Sequence, residues 1–399
     1  MPDHIGLVPA LIANGFDGKI YIPRHSKQIM RDMLYDGAYL AGRTAYCLST
    51  NKKEYDALYT NHDVNMALNM VVELDDVRTN IDDNISIELF DSGHILLAKQ
   101  ALFYFKDNMN EKKLLYTSDL GDKSIKNSFA NKLQHINHAD IVISESTYAD
   151  IDRKDIERDR KKDLSKLRNI IKHNKKVIIP AFSLSRSQNI LIDLYDMYKD
   201  DTNFNKRVIV DSPLTQKVFN NYLKILEDTK QFDKYNKLSS AIEWYNVKFT
   251  RNVKESKSLI AKDMPQVIIT SSGMLQGGRS VFWTKSIINR NDCAIVLSGY
   301  QGVDTLGYKI KNWDRMKIDI DDEIYDFKVE VDSLDSYSSH IQYNSLLKYL
   351  SNINSNEVYL HHGDHNNKVE FSKVLKQEYE NKFKTTKVIP TRKDMIVEF

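Results

Sequence analysis

Two cysteines in 399 residues, Cys47 and Cys293, are too few for a disulfide framework, and neither stands in a C-x-x-C pair that would hold zinc through thiolates. A reducing compartment, the cytoplasm, is the expected location. Long apolar runs are missing too. The chain has no stretch of ~18 consecutive apolar residues, and its N-terminus has no basic region leading into an apolar one, which argues against membrane insertion and secretion. A surplus of one charge is also lacking. Lys+Arg number 57 against 55 Asp+Glu, so nucleic-acid binding would need a local basic groove and not global charge. Low-complexity tracts are absent, as is any repeat with a period of roughly 20–50 residues. What is there is a folded chain, 41% hydrophobic, with enough apolar material for two domains or for one with a large insertion.

Short β-rich runs come first: "KIYIP" (19–23), "ISIELF" (85–90), "ALFYF" (101–105), "KLLYTSD" (113–119) and "DIVISES" (140–146), with turn residues between them. Such spacing predicts a sheet-building region. Between 150 and 176 the composition turns to charge. Ile156, Leu164, Leu167, Ile170 and Ile171 fall on one helical face there, which reads as a solvated amphipathic helix. Beyond it, "KVIIP", "RVIVDSP", "QVIITSS" and "CAIVLSGY" are near-continuous apolar runs ending in small or polar residues. Strands apolar on both faces, separated by helices, predict a buried and mainly parallel sheet with helices on each side. The predicted organisation is an α/β domain over 173–325, inserted in a different domain made from 1–172 and 326–399.

Three histidines stand at strand ends beside small residues: His94 in "DSGHILLA", His340 in "SYSSHIQ" and His362 in "YLHHGDH". Singly, each reads as a hydrogen-bonded structural residue more readily than as a ligand. Together with Asp3-His4 at the chain's start and Asp119 in "YTSDLGD" they are harder to dismiss. Histidine nitrogens with carboxylate oxygens and no thiolate suit two hydrolytic zinc ions, although spacing alone does not establish such a site.

The segments "DHIGLVPALIANGFDGKIY", "SGHI", "YTSDLGD", "ISESTYAD", "VIIPAFSLSRSQNIL", "VIVDSPL", "IITSSGMLQGGR", "LSGYQGVDTLG", "DSYSSHIQY" and "YLHHGDHNN" carry a resemblance across nearly the whole chain. In that order they resemble the signature segments of the β-CASP branch of metallo-β-lactamase-fold nucleases. In character the sequence is nearest to the RNA-cleaving subunit of the mRNA 3′-end processing machinery and its archaeal and bacterial relatives. The resemblance implies an αββα sandwich with an inserted α/β domain, and RNA as substrate. It also implies phosphodiester hydrolysis, with Zn2+ as cofactor at two ions per complete site. A homodimer or a place in a processing complex is a further expectation.

Carried over by motif, Asp3, His4, His94, Asp119 and His362 resemble metal ligands, with Asp119 bridging and Asp3 counted among the catalytic residues. Glu145 resembles the acid that orients a catalytic histidine, and His340 resembles that histidine. The family chemistry is in-line attack by a metal-held hydroxide, with a proton passed from the imidazole to the departing sugar oxygen. Arg186 and Arg279 resemble positions near the RNA cleft, where a guanidinium fork fits phosphate; pairing with a neighbouring acid is the alternative at each. Ser271, Ser272 and Gly273 end a buried strand where backbone N–H groups could hold a phosphate, though a plain strand-to-helix turn needs the same residue types.

Departures from the family pattern are specific. Met1 falls where the second histidine of H-x-H-x-D-H belongs, so the chain resembles the family without its N-terminal strands, and at most one zinc and weak cleavage are expected of it. Gln342 stands where an aspartate usually follows the motif histidine. Two other classes stay open: a non-catalytic paralogue acting as a partner in an RNA-processing complex, and a small-molecule hydrolase of the wider fold.

Overall fold

Lys176–Pro180, Gln266–Thr270 and Cys293–Leu297 are buried at every position, and Arg207–Asp211 at all but its first. They are strands because alternate Val and Ile side chains fill both faces of one sheet, each contributing about 1.5–3 kcal/mol on burial. Val247–Phe249 and Glu330–Ser333 flank these four, giving the order Val247–Phe249, Arg207–Asp211, Gln266–Thr270, Lys176–Pro180, Cys293–Leu297, Glu330–Ser333, with every pairing parallel. Helices follow the strands directly. Ser212, for example, accepts from Thr215 N at 3.2 Å and Pro213 takes the first helical position, so Pro213–Asp228 begins where Arg207–Asp211 ends.

The computed structural model describes residues 2–48, 56–107, 110–121, 129–150 and 156–396; Met1, matched above to a histidine position, lies outside them. The chain divides into two compact units, one of Met1–Gly18, Lys27–Met70 and Arg158–Ser338, the other of Lys19–Ser26, Val71–Glu157 and Ser339–Phe399. These limits differ from the expected 173–325. The parallel sheet takes Glu330–Ser333 as its sixth strand, and the amphipathic helix, found at Ile156–His173, falls almost wholly in the same unit. The early helices fall there too, and not with the rest of 1–172. Lys27–Leu48 packs on Pro213–Asp228, where Asn221 Nδ2 donates to the buried Asp32 Oδ2 at 2.8 Å.

The second unit holds a seven-stranded sheet in the order Lys387–Pro390, Glu357–His361, Ile141–Glu145, Asn110–Tyr116, Lys99–Asp107, Ile85–Asp91, Thr79–Asn80. The first four are mutually parallel and the remainder antiparallel. One face packs Leu115, Val142, Val358 and Leu360 against Leu346 and Leu350 of the helix Tyr343–Asn352 and against Phe371 and Leu375 of His365–Asn381. On the antiparallel part, Ile87, Leu89 and Phe103 meet Tyr21 and Leu74 from a two-stranded parallel sheet, Ile20–Pro23 with Val71–Leu74. The architecture is therefore α/β as expected, a sheet-on-sheet unit interrupted in the chain by a mainly parallel sheet. Among the described residues no helix is long and apolar enough to cross a membrane.

Candidate metal centre

Parallel pairing brings carboxyl ends together, and in the second unit those ends carry the titratable groups. Glu145 closes its strand opposite His361, so His362 follows one residue beyond; Asp119 lies three residues past Asn110–Tyr116. His94 arrives on the turn after Ile85–Asp91. That turn and the Asp119 loop touch backbone to backbone. Gly121 N donates to Ser92 O at 2.9 Å, and a Cβ at Gly121 would sit 1.9 Å from Gly93 O. Only glycine permits that approach, and it sets His94 Nε2 3.7 Å from Asp119 Oδ2. On the far side His362 Nδ1 lies 3.7 Å from Asp119 Oδ1.

His340 completes the group. Its Nδ1 faces Glu145 Oε2 at 2.9 Å, and its ring lies 4.5 Å from that of His94 and 5.6 Å from that of His362. Ligand atoms of His94, Asp119 and His340 fall within 4.8 Å of one another, as do those of Glu145, His340 and His362. His94 and Asp119 are buried, His340 half-buried and His362 open to solvent, so one side of the cluster is accessible.

Burial, then the neighbouring His340, brings the His94 imidazole down to about 4, although Asp119 and Glu145 pull the other way. At neutral pH the ring is uncharged and keeps a lone pair, the form that binds a metal. Burial pushes the Glu145 carboxyl up, but the His340 charge and hydrogen bond outweigh it and the net displacement is downward. Leu120 N and Thr147 N donate to the same carboxylate, so it stays ionised in a dry setting. The donor set of imidazole nitrogens and a carboxylate oxygen without sulfur fits zinc: His94, Asp119 and His362 would hold it, with His340 held apart by Glu145.

Of the residues singled out in the sequence, His94, Asp119, Glu145, His340 and His362 converge in this one unit. Asp3 and His4 belong to the other unit, on the helix Pro2–Ile5, with His4 Nε2 3.6 Å from Asp3 Oδ2. There too lie Arg186, which begins the helix Arg186–Tyr198, and the serines. Ser271 Oγ donates to Ser212 Oγ at 2.7 Å, and Ser272 Oγ accepts from Gln276 N at 2.8 Å. A Cβ at Gly273 would come within 3.0 Å of Phe182 N.

Arg279 departs from its expected place at an RNA surface. It is only 9% exposed, and its Nη1 donates to Asp211 and to Thr250 Oγ1. Asp211, fully buried, also accepts from Thr250 Oγ1 and Trp283 Nε1, each at 2.6 Å, and from Ser256. The acid-pairing alternative is the one realised, because a buried carboxylate requires a compensating cation.

Sequence reasoning passed over Thr147, although "ESTY" was in view. Its hydroxyl lies 2.9 Å from His362 Nδ1 and donates to His362 O at 3.3 Å. The available signal was its place two residues past Glu145 at the end of a strand paired with the His362 strand.

Two family matches coincide with these features. Residues 187–310 match the Beta-Casp domain, and residues 324–388 match the Zn-dependent metallo-hydrolase RNA specificity domain. Among curated proteins the chain is similar to "Transcription termination factor FttA" of Methanococcus maripaludis, at 26% identity over 357 residues, covering 87% of this chain and 54% of that protein. It is similar to "Integrator complex subunit 11" of Danio rerio at 27% over 407 residues, covering 97% and 61%. "RNase aCSPSF2" of Saccharolobus solfataricus matches at 26% over 387 residues, covering 94% and 70%. The chain thus spans little more than half the length of the first two. With the converging His, Asp and Glu side chains, the inserted parallel sheet and these matches together, the chain belongs to the β-CASP branch of the metallo-β-lactamase-fold ribonucleases.

Proposed function

We propose that this chain is a zinc-dependent hydrolase of RNA phosphodiester bonds, acting within a strand. The observation that carries this reading is the juxtaposition of His94, Asp119 and His362 with a histidine, His340, that is bound by a buried carboxylate. Zinc, when bound, supplies Lewis acidity toward a phosphoryl oxygen and lowers the pKa of coordinated water.

The chain's own residues do the rest. Glu145 accepts from His340 Nδ1 and so turns Nε2 outward, where it can deliver a proton to the sugar oxygen leaving phosphorus. Gln342 Nε2 donates to His340 O at 3.2 Å, steadying the same segment through its backbone where a carboxylate is absent. Asp3 and His4 are the further ligands in this proposal, and Asp3 also takes part in catalysis. Arg186 and the turn Ser271, Ser272 and Gly273 contact the RNA backbone. Arg279 is left out, being committed to Asp211. Membership of an RNA-processing complex, or self-association, accompanies the proposal because one relative is named as a complex subunit.

The test is cleavage of an end-labelled single-stranded RNA with internal sites by the purified chain. Internal products that vanish on chelation and return with added zinc are expected. Products released only one nucleotide at a time from an end would remove the endonucleolytic part, and intact RNA at saturating zinc would remove the whole.

A further inference from the structure

We infer that Thr147 is a positioning residue that fixes the tautomer of His362 and thereby selects Nε2 as its metal-binding atom; this rests on the zinc reading above. Thr147 Oγ1 sits between two atoms of one residue, 2.9 Å from His362 Nδ1 and 3.3 Å from His362 O. The hydroxyl owns a single proton. A carbonyl oxygen can only accept, so the proton directed at His362 O leaves an oxygen lone pair toward Nδ1, and that contact is satisfied when Nδ1 carries hydrogen. Asp119 Oδ1, 3.7 Å from the same nitrogen, favours N–H there as well, since an imidazole lone pair facing a carboxylate would be repelled.

Protonated at Nδ1, the neutral ring has its lone pair on Nε2. Were Nδ1 the ligand instead, the Thr147 oxygen would already occupy the approach along which the metal must come. A histidine's non-ligating nitrogen is commonly held by such an outer partner, whose loss costs roughly 10–100-fold in metal affinity.

The surrounding backbone is built to hold this contact. Ser146 N donates to His362 O at 3.3 Å, and Ser146 Oγ donates to His361 O at 2.6 Å. A Cβ at Gly363 would lie 2.4 Å from Ser146 O, so glycine there lets the two loops close. His362 itself has a left-handed φ of 50°, a conformation that a non-glycine residue adopts at a cost unless its surroundings impose it. Residues 146 and 147 together pin the His362 loop at both carbonyls and at the ring.

The experiment measures zinc affinity of the full chain by competition with a chromogenic chelator, for Thr147→Val, Thr147→Ser and His362→Ala. Thr147→Val, which keeps the shape and removes the hydroxyl, is expected to bind zinc about 10–100-fold more weakly; Thr147→Ser is expected to restore affinity to within about threefold. Long-range proton–nitrogen spectra of the metal-free chain are expected to show His362 protonated at Nδ1, and a mixture of tautomers in Thr147→Val. Unchanged zinc affinity in Thr147→Val, while His362→Ala loses zinc, overturns the inference and leaves the metal site standing. Unchanged affinity in His362→Ala as well overturns the site itself. Should Thr147→Val fold poorly, the tautomer in the unsubstituted chain still decides: protonation at Nε2 refutes the assignment.

Discussion

Nδ1 of His340 is shared between both oxygens of Glu145, 3.1 Å from Oε1 and 2.9 Å from Oε2, and that carboxylate is wholly buried. A buried charge of this kind persists because the ring and two backbone N–H groups surround it. Glu145→Gln retains the shape and removes the charge that favours a protonated His340. Cleavage by Glu145→Gln and by His340→Ala is expected to fall about 100-fold, with bound zinc, measured by atomic absorption, retained in both. Near-normal cleavage by either variant would show that the pair does not act in proton transfer.

Arg279 and Asp211 make an internal ion pair in the parallel-sheet unit. Arg279→Met leaves Asp211 buried without its cation and is expected to cost about 3–5 kcal/mol, read as a lower urea midpoint. Zinc content should not change. A midpoint equal to that of the unsubstituted chain would return Arg279 to the surface role expected from its motif.

Gly121→Ala drives a Cβ into Gly93 at both its carbonyl oxygen, 1.9 Å, and its carbonyl carbon, 2.2 Å. The two loops must part, taking His94 from Asp119. A stability loss of about 1–3 kcal/mol together with weaker zinc binding is expected from thermal unfolding and chelator competition. Loss of stability with zinc affinity intact would mean that the loop contact does not set the ligand spacing.

Much of this was legible in the chain. "KVIIP", "RVIVD", "QVIIT" and "CAIVL" became adjacent parallel strands because runs apolar on both faces have few other ways to leave water. The site histidines were legible as a set only through motif resemblance, since the contact that aligns His94 with Asp119 is a meeting of Gly93 and Gly121, 28 positions apart and without side chains. Arg279 was illegible for a different reason: its partner Asp211 lies on another strand, and whether a guanidinium faces RNA or an internal acid depends on tertiary packing alone. The unit limits escaped because Glu330–Ser333, with two acids in four residues, has none of the apolar character of the strand it pairs with.

Cys293, fully buried at the start of its strand, has its thiol pushed up to about 11 by burial and then by Asp292. In a Cys47→Ser background it is expected to resist alkylation at pH 8 until urea unfolds the chain. The raised value also fixes a sign. The unfolded thiol loses its proton near 9.0, so this group's contribution to stability is full below that pH and is lost as pH rises through about 11. Rapid alkylation of the folded chain at pH 8 would contradict the burial.

The most direct measurement follows one labelled RNA through three states of the same sample: the chain as purified with zinc, after chelation, and after zinc is restored. Cleavage that stops with the chelator and resumes with zinc is the expected result. Cleavage indifferent to chelation, or RNA left whole at saturating zinc, would contradict the assignment of His94, Asp119 and His362 to a working metal centre.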